Sequence, residues 1–296
     1  MKKTLFAFLC LLAFTVSGQV VTVVETSRLL QGVEGPAYYP VLNDAGDRLL
    51  FSSGENGTLK LYDFASNVVS RVSDGFVAGN DAFFGGDGNV YFVTQERGQG
   101  NLIYRTGHAY NTASGQSRVV LEAKHGAVRP AVGTRGGALK SAARNYSSSP
   151  SIGTAVWTQG SKVFVTVDGQ DRVFSPVDSW AGYLWASLSP DGQRVAFFAA
   201  EQGIVVIDLR GQVTAMLGRY EMPCWYNDHY LVAQNATDDG HQFTSSQIVL
   251  LKADGTFKAE LTRPTSMTMQ PTCGGGRIVY TTIDGNLTSM RINIDE

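Results

Sequence analysis

The chain has 296 residues, of which 43% are hydrophobic and 17% charged, against about 25% charged in an average soluble domain. Its 33 glycines against 9 prolines, with this apolar content, exclude a disordered chain, a coiled coil and a collagen. The net charge of −2 argues against nucleic-acid binding, which needs a basic surface to displace phosphate counterions.

Lys2 and Lys3 precede an apolar run from Leu5 to Val16, and the small residues Ser17 and Gly18 follow it. Residues 1–18 are therefore expected to be a secretory signal cut before Gln19, because the run is shorter than the roughly 20 residues a membrane span needs. No later segment is apolar for long enough to span a bilayer. Without residues 1–18, which hold Lys2, Lys3 and Cys10, the chain has 22 basic and 26 acidic residues, a net charge of −4, and two cysteines, Cys224 and Cys273. An exported protein meets an oxidising compartment, where these two can pair if their Cα atoms approach within about 7 Å; otherwise they are two small buried thiols.

From Val20 onward the chain repeats itself. Val20–Leu30 reads as a strand with no partner nearby in sequence. Pro40–Phe51 then holds a strand, a turn at Gly46 and a second strand, and Leu59–Asn67 supplies a third. Asp87–Phe92, Leu102–Tyr104 and Tyr110–Gly115 form the next copy. Residues 126–178 are the irregular copy, with strands predicted at 138–143, 154–159, 162–167 and 172–176. The clearest unit is Ser187–Phe198 with its Ser-Pro-Asp-Gly turn, followed by Gly203–Gly211; proline presets one φ and glycine accepts the positive φ of a tight turn. Tyr230–Ala233 with Ile248–Gly255, and Gly275–Tyr280 with Arg291–Ile294, are the last two.

Gly46 and Gly88 are 42 positions apart, and Gly192 and Gly275 are 83 apart, close to two repeats. Four strands per 40–50 residues is the spacing of propeller blades. The prediction is an all-β protein, a six-bladed β-propeller occupying residues 19–296 as a single domain. The last blade lacks a fourth strand, so Val21–Leu29 is expected to pair with Leu287–Ile294 and close the ring.

The unit Ser189-Pro-Asp-Gly-Gln-Arg-Val-Ala-Phe197 resembles the WD40-like (PD40) repeat of TolB-type propellers over essentially the whole mature chain. Ala37-Tyr-Tyr-Pro40, Leu61-Tyr-Asp-Phe-Ala65, Trp185–Gly192 and Trp225-Tyr-Asn-Asp228 are similar to stretches of exported TolB-like propellers of Bacteroidetes. That resemblance implies a periplasmic or secreted, non-enzymatic module that binds an envelope protein. TolB itself has an α/β domain ahead of its propeller, and no such domain is visible here. The same repeat occurs in prolyl-oligopeptidase-type enzymes, but no Gly-x-Ser-x-Gly elbow is present.

Three groups of residues are candidate sites. Glu34-Gly-Pro36 and Asn80-Asp81 are similar in order to gluconolactonase-type propellers, which hold a divalent cation such as calcium on the axis; the likeness implies a metal-dependent lactonase with a channel ion on Glu34, Asp81 or Asp228, although that family's late aspartate has no clear match. That family's fourth-blade asparagine is missing, since Tyr183–Ala186 stands there, and both motifs are also ordinary turn signals. Asp228 and His229, with Asp238 and His241, form the densest polar cluster, which reads as metal ligands or as solvated turns capping their own backbone. Tyr38, Tyr39, Trp180, Trp185, Trp225 and Tyr226 stand near first strands, where they could bind a protein or a glycan at the channel mouth or pack between blades. No cofactor is expected outside the calcium-dependent alternative.

Overall fold

The structure, a computed structural model, describes residues 14–16, 19–30, 35–54, 56–126, 128–133, 136–141, 146–147, 154–167 and 170–295. Six antiparallel sheets follow one another along the chain and form a six-bladed β-propeller. The first blade is Ala37–Leu42, Arg48–Ser53, Thr58–Asp63 and Val68–Ser73, and the second is Phe83–Phe84, Asn89–Arg97, Ile103–Asn111 and Gln116–His125. The fourth is Tyr183–Leu188, Arg194–Ala199, Gly203–Asp208 and Val213–Gly218; the fifth is Glu221–Trp225, Tyr230–Asp238, Phe243–Lys252 and Lys258–Glu260. First strands lie innermost. Ala37–Leu42 touches Phe83–Phe84 on one side and Thr268–Gly274 of the last blade on the other, so the ring of blades returns to its start.

The sixth blade is built from both ends of the described chain. Thr268–Gly274, Arg277–Thr282 and Leu287–Asp295 are joined by Gln19–Arg28, which runs antiparallel to Leu287–Asp295 with Val21 opposite Ile294 and Arg28 opposite Thr288. Phe14–Val16 pairs on the far side of Gln19–Arg28.

The third blade departs from the sequence reading. Its strands Ala155–Gln159, Lys162–Val167 and Gln170–Phe174 match, but the neighbour of Ala155–Gln159 is Val128–Gly133. Gly136–Ser141, which overlaps the first strand predicted at 138–143, lies on the other side of Val128–Gly133, and Tyr146–Ser147 lies beyond it. Pro130 disguises the extra strand: it has no N–H to give a sheet ladder and argues against a strand on sequence alone.

The core lies between blades. Second strands are sandwiched on both faces, so they read as unbroken apolar runs and not as an alternation. Val195 and Phe197 face the third blade while Ala196 faces the fifth, and all three are fully buried. Val21 enters the cluster shared by the fifth and sixth blades, with Tyr230, Val232, Ile278 and Ile292.

Strand parity gives the ring two faces. Turns joining first to second and third to fourth strands share one face, here the turn face. Connections between blades, and loops joining second to third strands, share the other, the connection face.

Candidate functional site

The turn face is made of short polar turns that cap themselves. The Asn43 side chain accepts from the N–H groups of Asp47 (3.1 Å) and Arg48 (3.0 Å), and Asn227 does the same for His229 (2.8 Å) and Tyr230 (2.9 Å). Ser189 Oγ accepts from Arg194 N–H at 2.9 Å, and Asp191 Oδ1 from Gln193 N–H at 3.0 Å. Partial burial raises the Asp191 pKa, but the Ser189 hydroxyl, the Gln193 N–H and the Arg194 charge together hold the carboxyl below its ordinary value. Neighbouring turns are also tied together. Asp191 N–H donates to Asp228 Oδ1 at 2.8 Å, and Arg194 donates to the Asp228 carbonyl while lying over the Trp225 ring.

The connection face is different. Among the described residues, the exposed large apolar side chains fall into two groups. Val24, Val68, Val119, Val173, Val213 and Met216 sit on outermost strands. Tyr39, Phe76, Leu102, Ile103, Trp180, Leu184, Trp185, Phe243 and Ile283 lie on the connection face or on strand residues turned towards it, and none lies in the turns of the other face. Trp180 is 89% exposed. The loops 74–82, 98–102, 175–182, 200–202, 239–242 and 283–286 contain Asp74, Asp81, Asp178, Glu201, Asp239 and Asp284 but no lysine or arginine. Arg71 pairs with Asp74 at 2.8 Å, and Arg219 and Arg263 stand in the connections into the fifth and sixth blades. Arg28 and Arg97 also reach this face, donating to Asn286 and Asn101, so it is apolar with acidic loops partly offset by arginines.

A repeated strain marks the inner wall of the same side. Tyr39, Trp185, Met222 and Gln270, in the first, fourth, fifth and sixth blades, all have left-handed φ between 52° and 55°. Each sits at a break in register between the first and second strands of its blade. A left-handed residue with a Cβ costs about 1–2 kcal/mol, and such strain gathers at functional sites. Proline follows at three of the four, Pro40, Pro223 and Pro271, where a bulge needs no N–H. The turned-out amides find side chains: Tyr39 N–H donates to Gln270 Oε1 at 2.8 Å, and Gln270 N–H donates to Gln234 Oε1 at 3.0 Å. Val77, Glu201 and Met267 in the connection-face loops also have positive φ.

The sequence candidates separate on this frame. Tyr39 and Trp185 occupy equivalent bulges and are exposed, with the Trp185 ring 5.3 Å from Phe198. Trp225 is buried and donates through Nε1 to the Ser187 carbonyl at 3.1 Å, so it packs between blades. Tyr226 and Tyr38 are half-buried and donate to carbonyls of the sixth blade, Ile292 and Ile283 respectively.

The polar candidates do not converge. Asp228 and His229 are on the turn face, at the start of the strand Tyr230–Asp238; Asp238 and His241 are at its other end, on the connection face. Nine strand residues separate the pairs by about 27 Å. Asp238 Oδ1 accepts Gly240 N–H and Asp239 Oδ1 accepts His241 N–H, as self-capping turns do. Asp81 is on the connection face, opposite Asp228, and Glu34 lies outside the described residues. Asp81 and Asp228 therefore do not fit a common axial cation, and among the described residues no three His, Cys, Asp or Glu side chains are grouped to hold a metal. Cys224 and Cys273 are free thiols on neighbouring inner strands. Sequence reasoning passed over Phe76, Phe243 and Ile283; strand parity, applied to exposed apolar residues in loops, is the signal that finds them.

The fold and its two unlike faces define a six-bladed propeller with one apolar face. No protein-family model matches the chain, and no curated protein matches it in sequence. Solved structures do match. TolB from Acinetobacter baumannii aligns with a TM-score of 0.54 at 15% identity, over 76% of this chain and 53% of that one, so the chain spans about half of that protein's length. A TolB-type protein from Agrobacterium tumefaciens aligns with a TM-score of 0.54 at 13% identity, over 88% and 90%. Oligogalacturonate lyase from Vibrio parahaemolyticus aligns with a TM-score of 0.51 at 10% identity, over 95% and 96%. These likenesses establish the TolB-like propeller fold.

Proposed function

We propose that this protein is an exported, non-enzymatic propeller of the bacterial envelope that docks a protein partner on its connection face. The observation that carries the reading is the one-sided exposure of Phe76, Trp180, Phe243 and Ile283 among loops that carry Asp74, Asp81, Asp178, Glu201, Asp239 and Asp284. Exposed aromatics of this kind anchor protein interfaces. The partner fitting such a face presents apolar side chains flanked by lysine or arginine placed against the acidic loops. The TolB-like neighbours support a protein-binding scaffold. The leader-like segment supports export, and cleavage before Gln19 would leave the strand Gln19–Arg28 whole.

The test is affinity capture from envelope extract with three baits: the native chain, Phe76→Ser/Trp180→Ser, and Arg210→Glu on the turn face. One discrete protein should fall at least tenfold with the double variant and persist with Arg210→Glu. Equal recovery on all three baits would count against the face. Binding of a purified glycan that is lost with Tyr39→Ala or Trp185→Ala would replace the protein reading with a glycan-binding one.

A further inference from the structure

Cys224 and Cys273 stand 49 positions apart on the inner strands of the fifth and sixth blades. Cys224 is opposite Val232 and Cys273 opposite Ile278, and both of those residues belong to the cluster between these two blades. The cysteines thus face one another across the joint. Cys273 N–H donates to Cys224 Sγ at 3.0 Å, and Cys273 Sγ lies 3.9 Å from the Cys224 carbonyl oxygen. With ordinary bond lengths, the first of these contacts keeps the Cα atoms within about 7 Å, the range a disulfide spans. We infer that Cys224 and Cys273 are a redox pair that closes to a disulfide linking the inner strands of adjacent blades.

The surroundings assign roles. The Cys273 thiol and amide and the Thr272 hydroxyl donate towards Cys224 and hold its thiol below the ordinary pKa, against burial and the nearby Asp44 carboxylate. Burial pushes the Cys273 thiol well up. Tyr226 and Cys273 both pack against the apolar cluster between these blades. Because Cys224 Sγ already accepts the Cys273 N–H, a bond that favours its thiolate, Cys224 is the attacking group and Cys273 the resolving thiol. The oxidant is a small-molecule or protein disulfide. Cys224 Sγ attacks one of its sulfurs, forming a mixed disulfide and expelling the other sulfur as a thiolate. Cys273 gives up its proton and attacks Cys224 Sγ, expelling the second sulfur. The protein loses two hydrogens, and the oxidant disulfide becomes two thiols.

Protein beginning at Gln19, which contains Cys224 and Cys273 but not Cys10, is incubated with oxidised glutathione, quenched with an alkylating reagent and weighed intact. The expected product is a monomer lighter by two hydrogens, with no alkylated cysteine and no glutathione adduct. Its thermal midpoint should exceed that of the reduced form, and a reducing agent should abolish the difference. Cys273→Ala should trap glutathione on Cys224 faster than Cys224→Ala traps it on Cys273. Two alkylated cysteines after prolonged oxidation, a stable double adduct, or a disulfide between chains would each overturn the inference. These outcomes are independent of whether the connection face binds a partner.

Discussion

Gly46 offers a direct measure of how tightly the first and last blades meet. It sits in the turn between the first two strands of the first blade with φ +68°, and a Cβ added there would fall 2.2 Å from the Gly274 carbonyl oxygen of the last blade. Gly88 is the corresponding turn glycine of the second blade, with φ +77° and nothing within 4 Å of the added Cβ. Gly46→Ala therefore meets two costs: about 1 kcal/mol for alanine in the left-handed region, and a further 1–3 kcal/mol for forcing two packed backbones apart. Gly88→Ala meets only the first. In urea titration with a shared m-value, Gly46→Ala should lose about 2–4 kcal/mol and Gly88→Ala about 1 kcal/mol. Equal losses would refute the contact between the first and last blades as described.

Other substitutions probe single links in the same chain of reasoning. Val21→Ala removes two methyl groups from the buried joint between the fifth and sixth blades and should cost about 1–2.5 kcal/mol, whereas Val24→Ala, 47% exposed, should stay within about 0.5 kcal/mol; equal effects in urea melts would mean that the N-terminal strand is not seated in the sixth blade. Gln270→Gly and Gln270→Ala both strip the acceptor from Tyr39 N–H, but only glycine relieves the left-handed φ, so the glycine variant should be the more stable by about 1 kcal/mol. Burial pushes Tyr280 up to about 12. An unfolded tyrosine ionises near 10, so between pH 10 and pH 12 the unfolded state releases a proton that the folded state keeps. Stability should fall over that window by up to about 2–3 kcal/mol, and Tyr280→Phe should flatten the fall in alkaline denaturation.

Much of the architecture is legible in the sequence because each blade repeats the same local chemistry. The turn glycines, the apolar second strands and the unpaired segment near Val21 each have one simple physical reading. The third blade was less legible: Pro130 and the glycine-rich 133–137 stretch weaken the strand signal at Val128–Gly133. The inner-strand bulges were missed for another reason. A left-handed tyrosine, tryptophan, methionine or glutamine looks ordinary in a sequence, and only the recurring proline at Pro40, Pro223 and Pro271 hints at it. The candidate aromatics divided because sequence spacing places Trp185 and Trp225 alike near first strands. The structure puts the Trp225 ring under Arg194 and leaves Trp185 on the inner wall. The polar cluster 227–241 looked compact along the chain, yet an extended strand carries its two halves to opposite faces.

The docking claim is tested most directly by a photo-reactive amino acid placed at position 180, on the connection face, or at position 210, on the turn face, with irradiation in living cells. Position 180 should yield one discrete cross-linked protein whose contacting segment combines apolar and basic residues, and position 210 should not. The same product from both positions, or a product from position 210 alone, would contradict the account.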